Sequence, residues 1–190
     1  MKKHLLTSVL MTIATTILLG IIYPLVITGL AQIFFKDKAN GEIITRNGEA
    51  VGSRLIAQGF TSAKYFHPRP SDAGNGYDAA NSGGTNFGST NQKLIDRVRA
   101  DAKTLHDENP SQPIPVDLIT MSASGLDPEI SPAAAEFQIP RVAHARGMSE
   151  SVIRNLVQKY TYQRDLGLLG EPRVNVLELN LALDDLTAKP

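Results

Sequence analysis

Between His4 and Lys36 the sequence holds no Asp, Glu, Lys or Arg, and the interval is mostly Leu, Ile, Val, Phe and Ala diluted by threonine. At about 1.5 Å per residue, roughly 20 apolar helical residues cross the ~30 Å of a bilayer's hydrocarbon core, so this run spans it with length to spare. A cleaved signal peptide has an apolar core of about 7–15 residues followed directly by a small-residue cleavage site. Here the only candidate site, Gly29-Leu30-Ala31, lies too far downstream. An uncleaved single-helix anchor is therefore expected. Pro24 removes a backbone donor inside the span and predicts a kink. Thr12, Thr15, Thr16 and Thr28 can bond back to their own helix, or offer a small hydroxylated face to a neighbouring helix in lipid. Lys2 and Lys3 oppose Lys36 and Lys38 across the span, which leaves a slight bias toward an inside amino terminus.

The remainder has the size and polarity of one domain. With 19 basic and 19 acidic residues the formal net charge is zero, so no basic surface points to nucleic acid. The absence of cysteine excludes disulfides, thiolate metal sites and a cysteine nucleophile. GEIITRNGEAVGS places Asn47-Gly48 between two short apolar segments, the signal of a hairpin whose turn needs two positive φ angles. KYFHPRPSD, with Pro68 and Pro70, predicts extended chain. STNQKLIDRVRADAKTLHDENP predicts a helix with a capping box at Ser89 and Gln92 and with Leu94, Ile95, Val98, Ala102 and Leu105 on one face. A strand is expected at Val116–Thr120. Ser131-Pro132 opens a further helix, Pro140 starts a second helical piece, and Ser149 caps ESVIRNLVQKYTY. VLELNLALD alternates Leu177, Leu179, Leu181 and Leu183 against Glu178 and Asn180, the pattern of a strand. Together these predict one compact mixed α+β soluble domain following a single N-terminal transmembrane helix.

His4, His67, His106 and His144 are scattered, with no second ligand at helical spacing, so no metal site is expected. No G-x-S-x-G elbow occurs. Ser124, Asp127 and His144 supply the residue types of a catalytic triad at a spacing that does not predict proximity. No catalytic residue is assigned. The remaining candidate is SDAGNGYDAANSGGTNFGSTN, residues 71–91. Gly83 and Gly88, four residues apart and followed by Ser89-Thr90, approach the phosphate loop G-x-x-x-x-G-K-[ST], but Ser89 stands where the lysine belongs. Ser82, Gly83 and Gly84 are the candidate nucleotide contacts if the loop binds an anion. Two other readings stay open: a connecting loop with left-handed Asn and Gly residues, and a side-chain-poor surface onto which a partner's backbone closes.

Several strings in order, VGSRLIAQGF, KYFHPRPS, YDAANSGGTNFGSTN, SGLDPEISPAAAEFQIPRVAHARG and GEPRVNVLELNLALD, together with Tyr23-Pro24, resemble the C subunit of bacterial Kdp-type potassium-transporting P-type ATPases. The resemblance implies a non-catalytic accessory subunit of the inner membrane. It places residues 1–4 in the cytoplasm, 5–35 across the membrane and 36–190 as the extracytoplasmic domain. It also implies three partners: a channel-like potassium-binding subunit, a catalytic ATPase subunit and a small fourth subunit. ATP and potassium are handled by those partners, leaving this chain without a cofactor of its own. The family is further described as a catalytic chaperone that raises the ATPase subunit's affinity for ATP. An outer domain is separated from cytoplasmic ATP by the bilayer, which sets that topology against the alternative of a nucleotide-binding regulator acting directly through the glycine-rich loop. Gln58, Tyr65, Phe66, Arg69, Asn81, Thr85 and Asn86 are the expected partner-interface positions, unless they bind the domain together. The sequence departs from the family pattern at Ala57 and Ala123, where glycine is expected, at Ser89, where proline is, and at Glu129, often histidine.

Overall fold

The computed structural model describes residues 1–187. The last three residues of the expected 36–190 domain lie outside the described residues. The chain divides into two compact units, one of Met1–Ile43 and one from Ile44 onward.

In the first unit, α1 (Lys2–Ile17), a π turn (Leu18–Ile22) and α2 (Tyr23–Phe34) run on as one helix, Lys2–Phe34, of 33 residues and about 50 Å. None of its residues is buried, so every face of this apolar rod is open to lipid or to another helix. The expected effect of Pro24 is absorbed by the π turn. The Tyr23 N–H reaches back to the Leu18 carbonyl, widening the helix just where the proline ring needs room and its missing donor breaks the ladder. Thr12 and Thr15 do bond to their own helix, on Ser8 O and Met11 O at 2.9 and 2.8 Å. A short turn, α3 (Lys36–Ala39), follows.

The second unit has a mixed α+β fold. It opens with the expected hairpin, β1 (Ile43–Arg46) and β2 (Glu49–Ser53), turning on Asn47 (φ 53°) and Gly48 (φ 85°). The helices α4 (Gln92–Glu108), α5 (Pro132–Arg146), α6 (Glu150–Lys159) and α7 (Val176–Thr187) accompany a small antiparallel sheet. Its order is β3 (Glu129–Ile130), β5 (Arg173–Asn175), β4 (Thr161–Tyr162), with Ile130 opposite Val174 and Val174 opposite Thr161. Phe137, Ile139, Val142, Ile153, Val157, Val174, Leu179 and Leu183 fill the core where α5, α6, α7 and β5 meet.

Four sequence expectations change. Residues 176–184 form a helix rather than a strand. The buried positions Val176, Leu179, Asn180 and Leu183 follow helical spacing, and Leu181 is only half-buried. Asn175 stops β5 and caps the helix through Glu178 N, 3.1 Å from its Oδ1. Val116–Thr120 holds a 3-10 turn, Val116–Leu118, with the Thr120 amide and hydroxyl both on Val116 O. Pro140 lies inside α5. The roughly 3 kcal/mol that an interior proline costs is offset by burial of Phe137, Ile139 and Val142 around it, each contributing about 1.5–3 kcal/mol. Finally, α4 is capped by Asn91, which accepts from Lys93 N at 2.9 Å, and not by Ser89. Ser131 caps α5 as expected, accepting from Ala134 N at 3.0 Å.

The core also holds a strand-like segment that has no partner strand among the described residues. Phe66 N–H donates to Asn180 Oδ1 at 2.8 Å, and Asn180 Nδ2 donates back to Phe66 O at 2.9 Å. Next along the chain, His67 N–H donates to Gln138 Oε1 at 2.8 Å and Gln138 Nε2 returns to His67 O at 3.1 Å. Two side-chain amides, one from α7 and one from α5, thus do what neighbouring strands do in a sheet. They pin the segment that leads into the glycine-rich loop, with the Phe66 ring fully buried beneath it.

His67 is a titrating member of this clamp. Its Nε2 lies 3.2 Å from Ser62 O and so carries the proton. Burial, and then the charge of Arg141, lower its pKa below the ordinary 6.5. A base whose pKa falls on folding contributes stability that is complete above its unfolded value and lost as pH drops through the folded value. The chain is therefore expected to lose stability as pH falls below the ordinary 6.5, and His67→Asn to flatten that dependence. Unfolding midpoints across this range measure both.

Candidate functional site

The glycine-rich loop is built from hydrogen bonds. The Ser71 hydroxyl donates to Gly125 O at 2.6 Å and accepts from Tyr77 N at 2.9 Å and Ala73 N at 3.2 Å, folding residues 71–77 around itself. Tyr77 sits in the left-handed region at φ 56°, and its hydroxyl donates to Arg69 O at 2.8 Å. Burial raises the pKa of that phenol, keeping it a donor. Arg69 in turn reaches the second half of the structure, with Nη1 2.9 Å from Asp127 Oδ2 and further bonds to Thr120 and Met121 carbonyls. Asp78 caps the next turn, accepting from Asn81 Nδ2 at 2.6 Å and Ala80 N at 2.9 Å. Those hydrogen bonds, from Asn81 first, lower its carboxyl pKa.

Beyond Asn81 the loop lies against the turn 122–126. Gly83 N–H and the Ser82 hydroxyl both donate to one acceptor, Ser124 O, at 2.9 and 3.0 Å. The backbones approach closely enough that side chains are excluded. A Cβ on Gly84 would meet Ala123 O at 3.0 Å, and one on Gly125, itself at φ +67°, would meet Gly83 O at 2.6 Å. Gly83 and Gly88 face open space instead. Asn86 adopts φ 53°, but Gly83, Gly84 and Gly88 are not among the positive-φ residues, so their use is close approach and small size rather than handedness.

This geometry bears on the anion reading. In a phosphate loop successive amides converge on a vacant point at the start of a helix. Here the donors of Ser82 and Gly83 turn inward to a protein carbonyl, and residues 89–91 separate Gly88 from α4, whose first turn Asn91 caps.

The seven interface positions divide by placement. Phe66 is core, and Arg69 is spent on Asp127, Thr120 and Met121. Tyr65 donates its hydroxyl to Asp184 at 3.0 Å beneath the Arg146 guanidinium, 5.0 Å from the ring centre. Gln58 is half-buried, 3.4 Å from Val51 O. Asn81 and Asn86 are exposed on the outer side of the loop, with Thr85 half-buried between them. Sequence reasoning did not count Phe87, 39% exposed beside them, among the interface positions, nor see that Ser71, Ser124 and Gly125 fix the loop. Bulk amid small polar residues marks Phe87 in the sequence, whereas nothing local marks a turn some forty residues away.

Asp127 is paired with Arg69, and the Ser124 hydroxyl accepts from Leu126 N at 3.1 Å, so the residue types of a triad are engaged separately. Among the described residues no group of three or more His, Asp or Glu is placed to hold a metal ion.

A family profile described as "KdpC: K+-transporting ATPase, c chain" matches residues 5–185. The Potassium-transporting ATPase KdpC subunit of Koribacter versatilis is 66% identical over 190 residues, covering 100% of this chain and 98% of the relative. Those of Acidobacterium capsulatum and Methylobacterium nodulans are 53% identical over 184 residues (97% of this chain, 99% of the relative) and 52% identical over 201 residues (100% of both). With its apolar N-terminal helix, α+β unit and relatives matched along the whole chain, the chain belongs to the KdpC family, the c chain of K+-transporting ATPases.

Proposed function

We propose that this chain is a non-catalytic subunit of an ATP-driven potassium uptake pump, held in the bacterial inner membrane by Lys2–Phe34 with the unit from Ile44 onward on the outer face. The apolar helix packs on the channel-like, potassium-binding subunit. The outer surface of the glycine-rich loop, Asn81, Thr85, Asn86 and the neighbouring Phe87, closes on that subunit's external mouth. The catalytic subunit and the small fourth subunit complete the assembly. ATP and potassium are bound by those partners. The chain raises the ATPase subunit's affinity for ATP through the assembly and without touching the nucleotide.

The observation that carries this reading is the double bond of Ser82 and Gly83 to Ser124 O. It turns two of the candidate phosphate donors, the Ser82 hydroxyl and the Gly83 N–H, inward onto a protein carbonyl and leaves a surface poor in side chains, suited to a partner's backbone. Equilibrium titration of the detergent-solubilised chain with ATP is expected to give no saturable binding, and saturation tighter than about 1 mM would favour a nucleotide-binding regulator. Deleting residues 81–86, or the anchor, is expected to abolish growth at limiting potassium while the catalytic subunit keeps its phosphorylation site. Unimpaired growth of both deletions would refute the assembly role.

A further inference from the structure

Where the apolar helix ends, the chain forms a braced elbow with a hollow of its own. Phe35, at φ −137° and ψ 39°, breaks α2, and α3 begins directly after it. A reciprocal amide pair spans the break. Gln32 Nε2 donates to Asn40 Oδ1 and Asn40 Nδ2 to Gln32 Oε1, both at 3.2 Å, and Asn40 Nδ2 also reaches Lys36 O at 2.7 Å. Gly41, at φ 84°, and Glu42, at φ 42°, then turn the chain so that Glu42 N donates to Asp37 O at 2.8 Å. The hollow held by this turn has a volume of about 400 Å³. Ile33, Phe34 and Phe35, which are 74%, 69% and 63% exposed, line its apolar part. Lys36, Asp37 and Lys38 line its charged part, with Glu42 beside them. Two cations thus face two carboxylates, and among the described residues no carboxylate of the chain engages either lysine.

We propose that this elbow binds one phospholipid headgroup of the phosphoethanolamine class. The proposal rests on the reading of Lys2–Phe34 as a membrane-spanning helix, and not on which side its carboxyl end emerges. From Leu5 to Phe35 the chain carries no charge, so the hydrocarbon ends at Lys36, with two aromatic rings at the boundary. A phospholipid has the same profile along the membrane normal: acyl chain, then phosphate, then headgroup amine. Its acyl chains lie on Ile33, Phe34 and Phe35, and Lys36 and Lys38 donate to its phosphate. Asp37, between the two lysines, selects the headgroup. A primary ammonium brings N–H donors to that carboxylate, whereas a quaternary choline has none. A headgroup ending in phosphate or glycerol leaves Asp37 facing a like charge. An apolar helix of another subunit would cover the phenylalanines but strand two lysines and a carboxylate without counter-charges, which is costly.

The chain contains no tryptophan, so Leu30→Trp, one helical turn before Phe34, installs a single reporter just below the elbow. With the full chain in phosphatidylcholine bilayers, phosphatidylethanolamine with brominated acyl chains is expected to occupy the site beside this tryptophan about fivefold more strongly than brominated phosphatidylcholine, as read by quenching. Lys36→Gln combined with Lys38→Gln is expected to abolish that preference. Ile17→Trp, deeper in the helix, is expected to be quenched equally by both lipids. In the assembled ATPase in native membranes, a benzophenone amino acid at position 34 is expected to form an adduct with phosphatidylethanolamine. Equal quenching of Leu30→Trp by the two lipids would overturn the site, as would stronger quenching by brominated phosphatidylglycerol or a benzophenone adduct with protein alone. No quenching of Ile17→Trp by any brominated lipid would instead refute the spanning helix and, with it, the site, so the two failures are told apart.

Discussion

Replacing Asn180 by leucine is expected to destabilise the unit from Ile44 onward by about 3–5 kcal/mol, although the change is nearly isosteric and would make the helix more apolar. Asn180 is 1% exposed and satisfies both the N–H and the C=O of Phe66. Leucine leaves two buried backbone groups without partners, each costing about 1–3 kcal/mol, and sets a methyl group where an oxygen accepted. Gln138→Leu is expected to act the same way on His67, with losses in Ala134 O and Arg141 besides. Because the two clamps hold adjacent residues, the double variant should lose less than the sum. Urea unfolding followed by circular dichroism measures all three. A loss below about 1 kcal/mol for Asn180→Leu would mean that the amide clamp does not hold the segment.

The second large effect concerns the loop itself. Gly125→Ala is expected to cost about 2–4 kcal/mol, combining a positive φ with a Cβ driven to 2.6 Å from a backbone oxygen that has nowhere to retreat. It should also part residues 82–84 from the turn at 122–126 and release the loop. Gly83→Ala, whose Cβ would meet nothing within 4 Å, should change stability by less than about 0.5 kcal/mol. The pair separates scaffold from surface. If a partner's backbone closes on the loop, Gly83→Ala weakens copurification with the other subunits while leaving unfolding unchanged, and Gly125→Ala weakens both. Equal stability of the two variants would contradict the tight junction.

The long apolar helix, the hairpin and the Ser131 cap were legible because each is local: an uncharged run, an Asn-Gly pair, a Ser-Pro start. Residues 176–184 were not. Their strict alternation gives a period of two, and the one polar residue that breaks the helical reading, Asn180, is buried because a backbone segment more than a hundred residues earlier needs an amide. Pro140 misled for a similar reason, since core packing on both sides keeps the helix running past it. In the loop, the residue types left three readings open: a connecting loop, a rigid surface and a phosphate cradle. The difference lies in where Gly83 N–H points, and that is set by Ser124, in another part of the sequence.

Because the chain contains no cysteine, a single substitution can report on its exposure from each side of the membrane. Thr90→Cys places a thiol at the exposed end of the glycine-rich loop, on a residue with no hydrogen bond to lose among those described. In intact cells a membrane-impermeant maleimide added outside is expected to label it fully, and the same reagent confined to the cytoplasmic side to leave it unlabelled. Labelling only from the cytoplasm would put the loop beside ATP and contradict the account of an outer, nucleotide-free subunit.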